Sequence, residues 1–206
     1  MNTKRIVLLT VVNALIICSS LAQLSLDSFS ANVGTMKTTH SEHSAYSDYQ
    51  YAFYPEVQTG GSLFLPYFRW TIYWGYWSDG ITEPLNVMDI VTYSRQTHIL
   101  GARVTFFPAK IAPRFPLPVG IFAGFAHHFT TARYVGTFGL FPYSKPREHF
   151  TESLNTVEAG LNADVSILGP FNIRGEIHQF FPLGDPPIDQ ALKGRRAYKV
   201  GLALQL

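Results

Sequence analysis

The sequence predicts an all-β fold: an up-and-down antiparallel transmembrane β-barrel of eight strands, preceded by a cleaved N-terminal signal peptide. Three observations carry this. The 206-residue chain is apolar (47%), aromatic (15%) and poor in charge (15%), yet no apolar run reaches the ~18 residues of a membrane-spanning helix. The first 22 residues have the build of an export signal. The remainder alternates apolar with polar or small residues, the period of a strand lying between two media.

The N-terminus comes first. Lys4 and Arg5 form a positive n-region, Ile6 to Ile17 an apolar stretch, and Ser20-Leu21-Ala22 a small-x-small cleavage site. The apolar stretch is too short to anchor the chain as a helix. Lipoprotein processing at Cys18 requires a small residue before it, and Ile17 stands there. Residues 1–22 are therefore read as a signal peptide, and residues 23–206 as one barrel domain beginning at Gln23. Removal takes away Lys4 and Arg5, so the 16 basic residues fall to 14 and equal the 14 acidic ones. The single cysteine leaves as well. A neutral, cysteine-free export product excludes a disulfide scaffold and multi-cysteine metal sites, and nothing in its charge points to nucleic acid.

The strands follow in order. Leu26–Met36 and Tyr49–Tyr54, joined by the polar loop Lys37–Asp48, rest mainly on parity: a chain with both ends in the periplasm needs an even number of strands. Gly60-Gly61 reads as a turn. From Phe64 to Tyr76, Phe68, Trp70, Ile72 and Trp74 alternate with Tyr67, Arg69, Thr71 and Tyr73. From His98 to Phe106, Leu100, Ala102 and Val104 oppose Gly101, Arg103 and Thr105. Val119–Thr131 and Phe171–Phe181 alternate less cleanly. Leu154–Ile167 alternates Val157, Ala159, Leu161, Ala163 and Val165 with Glu158, Gly160, Asn162 and Asp164. Tyr198–Leu206 closes the chain in the same way. Leu168-Gly169-Pro170 is a tight turn, whereas Ser78–Arg95, Tyr134–Thr151 and Pro182–Arg196 read as long polar loops; the proline-rich Pro108–Pro118 cannot be a central strand. Short turns at one end and long loops at the other suit a membrane barrel.

The polar rows contain glycine and alanine among single charges, as a narrow interior requires. That favours apolar rows on lipid over the reverse arrangement of a soluble, lipocalin-like barrel. Trp70, Trp74, Tyr76 and Trp77 are then expected as an aromatic belt where membrane meets water.

On this pattern the chain resembles the small eight-stranded outer-membrane β-barrel proteins of Gram-negative bacteria, over essentially the whole mature length. The resemblance implies an outer-membrane location and contact with outer-membrane lipid, lipopolysaccharide and the outer-membrane assembly machinery. It also implies extracellular loops open to an unknown ligand, with no nucleic acid and no cofactor. One departure stands out: such barrels usually end in an aromatic residue, and this chain ends Gln205-Leu206.

Inward polar rows deliver Arg69, Arg103, Arg174 and Lys199 together with Glu158, Asp164 and Glu176. Charges removed from water must be paired, and the turn at Gly169 brings Asp164 toward Arg174 and Asn162 toward Glu176. The expected role is a structural ion-pair network closing the lumen; the alternative is a polar conduit or proton relay. The histidines offer a catalytic alternative. Outer-membrane lipid A deacylases carry a His-x-Ser pair and a Glu, and His128-Phe129-Thr130 with Glu158 or Glu152 is similar, with threonine in place of serine. That reading makes His128, Thr130 and Glu158 the catalytic set of a lipid-modifying hydrolase. His40 and His43 are two metal-ligand types without a third, so no metal site is expected. His149 and His178 have no evident partner. The leading function is a non-enzymatic interaction barrel; the alternatives are the hydrolase and a carrier of small apolar ligands.

Overall fold

The computed structural model describes residues 25–39, 49–63, 65, 67–84, 90–108, 119–138, 149–184 and 196–206. The expected signal peptide, His40 and His43 lie outside them. Eight strands form: β1 (Ser28–Thr39), β2 (Tyr49–Ser62), β3 (Phe68–Pro84), β4 (Ile90–Phe106), β5 (Val119–Phe138), β6 (His149–Leu168), β7 (Phe171–Pro182) and β8 (Arg196–Gln205). Each pairs antiparallel with the next, and β1 pairs with β8, so the sheet closes into a barrel. This is the expected fold class. The β6–β7 connection is the tight turn at Gly169, whose φ of +55° a side chain would disfavour.

Alternation sets which side chains enter the lumen. Tyr73, Trp77, Ile99, Phe122, His128, Glu158, His178 and Phe180 are buried, while their strand neighbours Trp74, Leu100, Phe129, Ile177 and Phe181 are exposed. The outward apolar stretch of β3, β5, β6 and β7 is about 9–11 residues long, the span a strand tilted by about 45° needs to cross a bilayer. It runs Phe68–Tyr76 on β3, Val119–Phe129 on β5 and Val157–Ile167 on β6. Aromatic rings mark both limits. At the loop end, His98 stacks on Trp74 (centroids 5.7 Å) and lies 5.2 Å from Tyr76. At the turn end, Tyr67, Phe68 and Phe106 form a ring cluster.

Several expectations change. Trp77 does not belong to the aromatic belt: it is 1% exposed and packs inside with Met36, Tyr54, Tyr73, Ile99 and Phe180. Its odd number places it in the row of Tyr73 and Gly75, so parity overrides its amphipathic chemistry. Trp70 faces outward near the turn end of β3, in register with Gly61 and Val104. Gly60-Gly61 is strand rather than turn, paired with Thr71 and Trp70. A Cβ at Gly61 would strike the Ser25 carbonyl, so close approach demands the glycine. The loops Ser78–Arg95 and Tyr134–Thr151 shrink, because β3 continues to Pro84, β4 starts at Ile90, β5 reaches Phe138 and β6 begins at His149. Beyond the lipid the outward face turns polar and the inward face mixes charge with apolar residues, as in Ser78-Asp79 and in Val91, Tyr93 and Arg95. The ladder continues while the hydrophobic alternation stops. β2 likewise runs past Tyr54 to Ser62. The β2–β3 ladder is short, from Glu56–Gly75 to Ser62–Arg69, and Pro55, which has no N–H to donate, sits where it ends.

The inward glycines make room for large neighbours. A Cβ at Gly101 meets the Tyr73 ring, and one at Gly160 meets Phe122 and the Ile177 carbonyl. Gly101→Val is expected to lower stability by about 1–3 kcal/mol through overpacking, read as a shifted urea midpoint of the refolded barrel. In single-tryptophan variants reconstituted in bilayers, brominated acyl chains should quench Trp74 and leave Trp77 unquenched. The converse result would require a register shifted by one residue.

Candidate functional site in the barrel interior

The interior is built in levels. Nearest the turn end, Arg174 grips Asp164 bidentately, Nε to Oδ1 at 2.6 Å and Nη2 to Oδ2 at 2.7 Å. The two residues are cross-strand partners, as are Asn162 and Glu176. Arg69 reaches the same carboxylate at 3.5 Å and Asp27 at 3.3 Å. Asp27 in turn accepts from the Ser62 backbone N–H (2.9 Å) and hydroxyl (2.8 Å). The group ties the segment before β1 to β2, β3, β6 and β7.

Above it lies a denser network with Arg103 and Glu176 at its centre. Arg103 Nη2 donates to both Glu176 oxygens (2.8 and 2.9 Å) and to Gln58 Oε1 (2.5 Å), while Nη1 lies 2.8 Å from His178 Nε2. Its guanidinium also packs over the Phe122 and Tyr73 rings, at 4.7 and 5.0 Å. Lys199 Nζ bridges Glu56 (2.5 Å) and Glu176 (2.9 Å). Tyr54 donates its phenol proton to Glu56 at 2.7 Å, and Tyr73 donates to Glu158 at 2.8 Å. His178 lies between Glu176 (2.9 Å) and Glu158 (3.2 Å). The ion-paired side chains of this group are at most 1% exposed. In so dry a site electrostatic attraction is strong, but so is the cost of leaving any member alone.

Next comes an apolar level of Met36, Ala52, Tyr54, Trp77, Ile99, Ala126, Phe180 and Ala197. Toward the loop end Arg95 holds Asp79 bidentately at 2.8 and 2.6 Å and lies over the Trp77 ring at 4.7 Å.

The seven residues expected as the interior network thus fall into two groups. Arg103, Glu158, Glu176 and Lys199 share one, and Arg69, Asp164 and Arg174 the other. Glu56, Gln58, Tyr54 and His178 were missed, as was the Arg95–Asp79 pair. Glu56 and Gln58 lay beyond the expected end of β2, and Arg95 and Asp79 lay in an expected loop. The parity of Arg174 and Glu176 was a usable signal for His178.

The candidate catalytic residues take separate partners. His128 Nε2 lies 3.0 Å from Thr156 Oγ1, the Thr130 hydroxyl is 2.9 Å from that of Thr97, and Glu158 accepts from Tyr73. Glu158 stands opposite Gly124 on β5, four residues from His128, or about 13 Å along the strand. Glu152 stands opposite Thr130. Among the described residues no group of three or more His, Cys, Asp or Glu side chains forms a metal site.

A closed eight-stranded wall with an apolar exterior and a hydrogen-bonded polar filling defines the small outer-membrane type of β-barrel fold. A major outer membrane protein of Thermus thermophilus has the same fold, with a TM-score of 0.53 at 11% identity over 88% of this chain and all of that one. So does Ail, the attachment invasion locus protein of Yersinia pestis, with a TM-score of 0.52 at 10% identity over 88% of this chain and 100% of its own. No family model and no curated protein sequence matches the chain.

Removing one member of the central network should cost far more than removing a matched pair. Arg103→Ala, which leaves Glu56 and Glu176 to share Lys199 as their one buried cation, is expected to destabilise the barrel by about 3–5 kcal/mol in urea unfolding. The double variant Arg103→Met/Glu176→Leu should recover most of that loss. Equal losses in the single and double variants would show that the network is not acting through charge pairing.

Proposed function

We propose that the chain is an integral outer-membrane β-barrel of a Gram-negative envelope, exported by its N-terminal signal. It has no catalytic role, its lumen is sealed by ion pairs, and it presents the loop-end strands and loops to the exterior. The observation that carries this is the sidedness of the wall. Exposed Leu100, Val104, Ile121, Phe125, Leu161 and Ile177 form an apolar belt around an interior in which Arg103, Lys199, Glu56 and Glu176 neutralise one another. A soluble barrel would bury the belt and expose the charges; this one does the reverse, which is stable only with lipid outside.

The interior supports a plug rather than a pore, because Arg103, Glu176, Lys199 and the Tyr73 and Phe122 rings meet across the lumen. The separate partners of His128, Thr130 and Glu158 support a structural role for each. Loops set on a rigid barrel are the natural place for recognition.

The membrane fraction should yield a protein whose gel migration changes on heating, and planar bilayers containing it should show no stepwise conductance. Recovery as a soluble periplasmic protein would overturn the reading. A His128→Ala strain should keep its lipid A acylation pattern unchanged; altered acylation would establish the hydrolase instead.

A further inference from the structure

Several enclosed polar atoms of the interior meet no partner among the described residues, and they line one wall. On β4 these are Arg103 Nε and Thr105 Oγ1, on β6 Glu158 Oε1 and Asn162 Oδ1, and on β7 His178 Nδ1. Between β4 and β6 runs β5, whose inward residues at this height are Gly120, Phe122 and Gly124. None has a polar side chain, so the groups that flank β5 find nothing to bond there. Arg103 and Glu158 stand opposite the same residue, Gly124. A Cβ at Gly124 would strike the Ala102 carbonyl and Arg103 Cβ, so β5 cannot supply the missing partner from a side chain of its own.

The unmet groups are complementary in sense. Arg103 Nε is a guanidinium donor that accepts nothing, and Glu158 Oε1 is a carboxylate acceptor. Both residues are buried, as is His178, and an enclosed polar group without a partner is costly. The rest of each side chain is already committed. Arg103 uses Nη1 and Nη2 on His178, Gln58 and Glu176, and Glu158 uses Oε2 on Tyr73. His178 Nδ1 faces Glu158 Oε2 at 3.2 Å without the alignment of a hydrogen bond, and so lies beside the same carboxylate. A cation placed here would satisfy Glu158 but oppose Arg103, and an anion would do the reverse. Among the described residues no three His, Cys, Asp or Glu side chains converge as metal ligands. What fits is small, neutral and able both to donate and to accept. Enclosed water has that chemistry and typically makes about three such bonds.

We propose that the central network binds one structural water molecule, which donates to Glu158 Oε1, accepts from Arg103 Nε and takes His178 Nδ1 as its third partner. It joins β4, β6 and β7 beside Gly124, where β5 has no polar side chain. Because side chains enclose it, this water exchanges only when the network opens. It is a fixed ligand of the filling rather than part of a path through the lumen. The assignment concerns the interior alone and does not depend on which membrane surrounds the barrel.

The test uses the full barrel refolded in detergent. In a high-resolution crystal structure, density for one water should lie within about 3.2 Å of both Arg103 Nε and Glu158 Oε1. In solution, the Arg103 Nε–H resonance should show nuclear Overhauser and rotating-frame effects of opposite sign to water, the mark of a bound molecule rather than of proton exchange. Glu158→Leu removes the acceptor and should abolish the signal, whereas Glu158→Gln, which keeps an oxygen in place, should retain it. Crystals soaked in bromide or rubidium should show no anomalous peak at the site. A direct bond from Arg103 Nε to a protein acceptor, a wild-type barrel without the water signal, a signal undiminished in Glu158→Leu, or an anomalous peak would each overturn the proposal. If Glu158→Leu does not fold, read as gel migration that no longer changes on heating, the wild-type density and the soaks decide alone.

Discussion

The constraint on which everything else rests is that no backbone N–H or C=O may stay unpaired in lipid. The chain meets it by pairing β1 with β8, from Ser28–Gln205 to Met36–Ala197, so the embedded wall has no edge. Closure with eight strands leaves a lumen only wide enough for side chains. Each inward position must therefore be either large and partnered or small enough to admit a large neighbour. Gly101 beneath Tyr73 and Gly160 beneath Phe122 are such pairs. The polar network is the filling that a narrow ring allows once the apolar residues have been assigned to the outside.

Charge pairing in that filling does two kinds of work. The Arg174–Asp164 contact joins neighbouring strands of one hairpin and reinforces a register that the turn already sets. The Arg103 network instead crosses the lumen, linking β4 to Glu56 and Gln58 on β2 and to Glu176 and His178 on β7. Buried pairs of this sort add little net stability over apolar filling. They do penalise slippage: a shift of one residue in β2, β4, β6, β7 or β8 would turn Glu56, Arg103, Glu158, Glu176 or Lys199 out into lipid and bring an apolar residue into the network.

How much of this was legible in the sequence follows from where lipid is. Inside the bilayer, lipid and lumen impose opposite demands on alternate residues, so the segments around Leu154–Ile167 and Phe171–Phe181 could be placed within a few residues. The orientation of Arg103, Asp164, Arg174, Glu176 and Lys199 followed from parity alone. Beyond the bilayer the outward face is polar and the inward one mixes Val91 and Tyr93 with Arg95 and Asp79, so alternation no longer separates two media and the upper parts of β3 to β6 read as loops. β2 was shortened for a different reason: Pro55 and Gly60-Gly61 are residues that usually end strands, and here one stands at the limit of a ladder and the others permit close approach. Which charge meets which across the lumen depends on stagger between strands distant in sequence. Alternation carries no information about that, so Glu56 and His178 were not connected to Arg103.

The brief β2–β3 ladder has a mechanical consequence. Both strands continue toward the loop end past Glu56 and Gly75, β2 to Tyr49 and β3 to Pro84, but no rung joins them there. β2 stays bonded to β1 as far as Thr39–Tyr49, and β3 stays bonded to β4 as far as Pro84–Ile90. Below that level the wall is a hoop, stiff in every direction because any deformation must stretch hydrogen bonds. Above it, among the described residues, the β1–β2 hairpin and the sheet of β3 to β6 share no β2–β3 rung and are held together on that side by side-chain packing alone, Met36, Ala52 and Tyr54 against Trp77 and Ile99. At this one seam, cohesion thus passes from backbone hydrogen bonds near the turn end to packed side chains near the loop end, so a cavity cut at Ala52 or Trp77 would open the seam where no ladder can hold it.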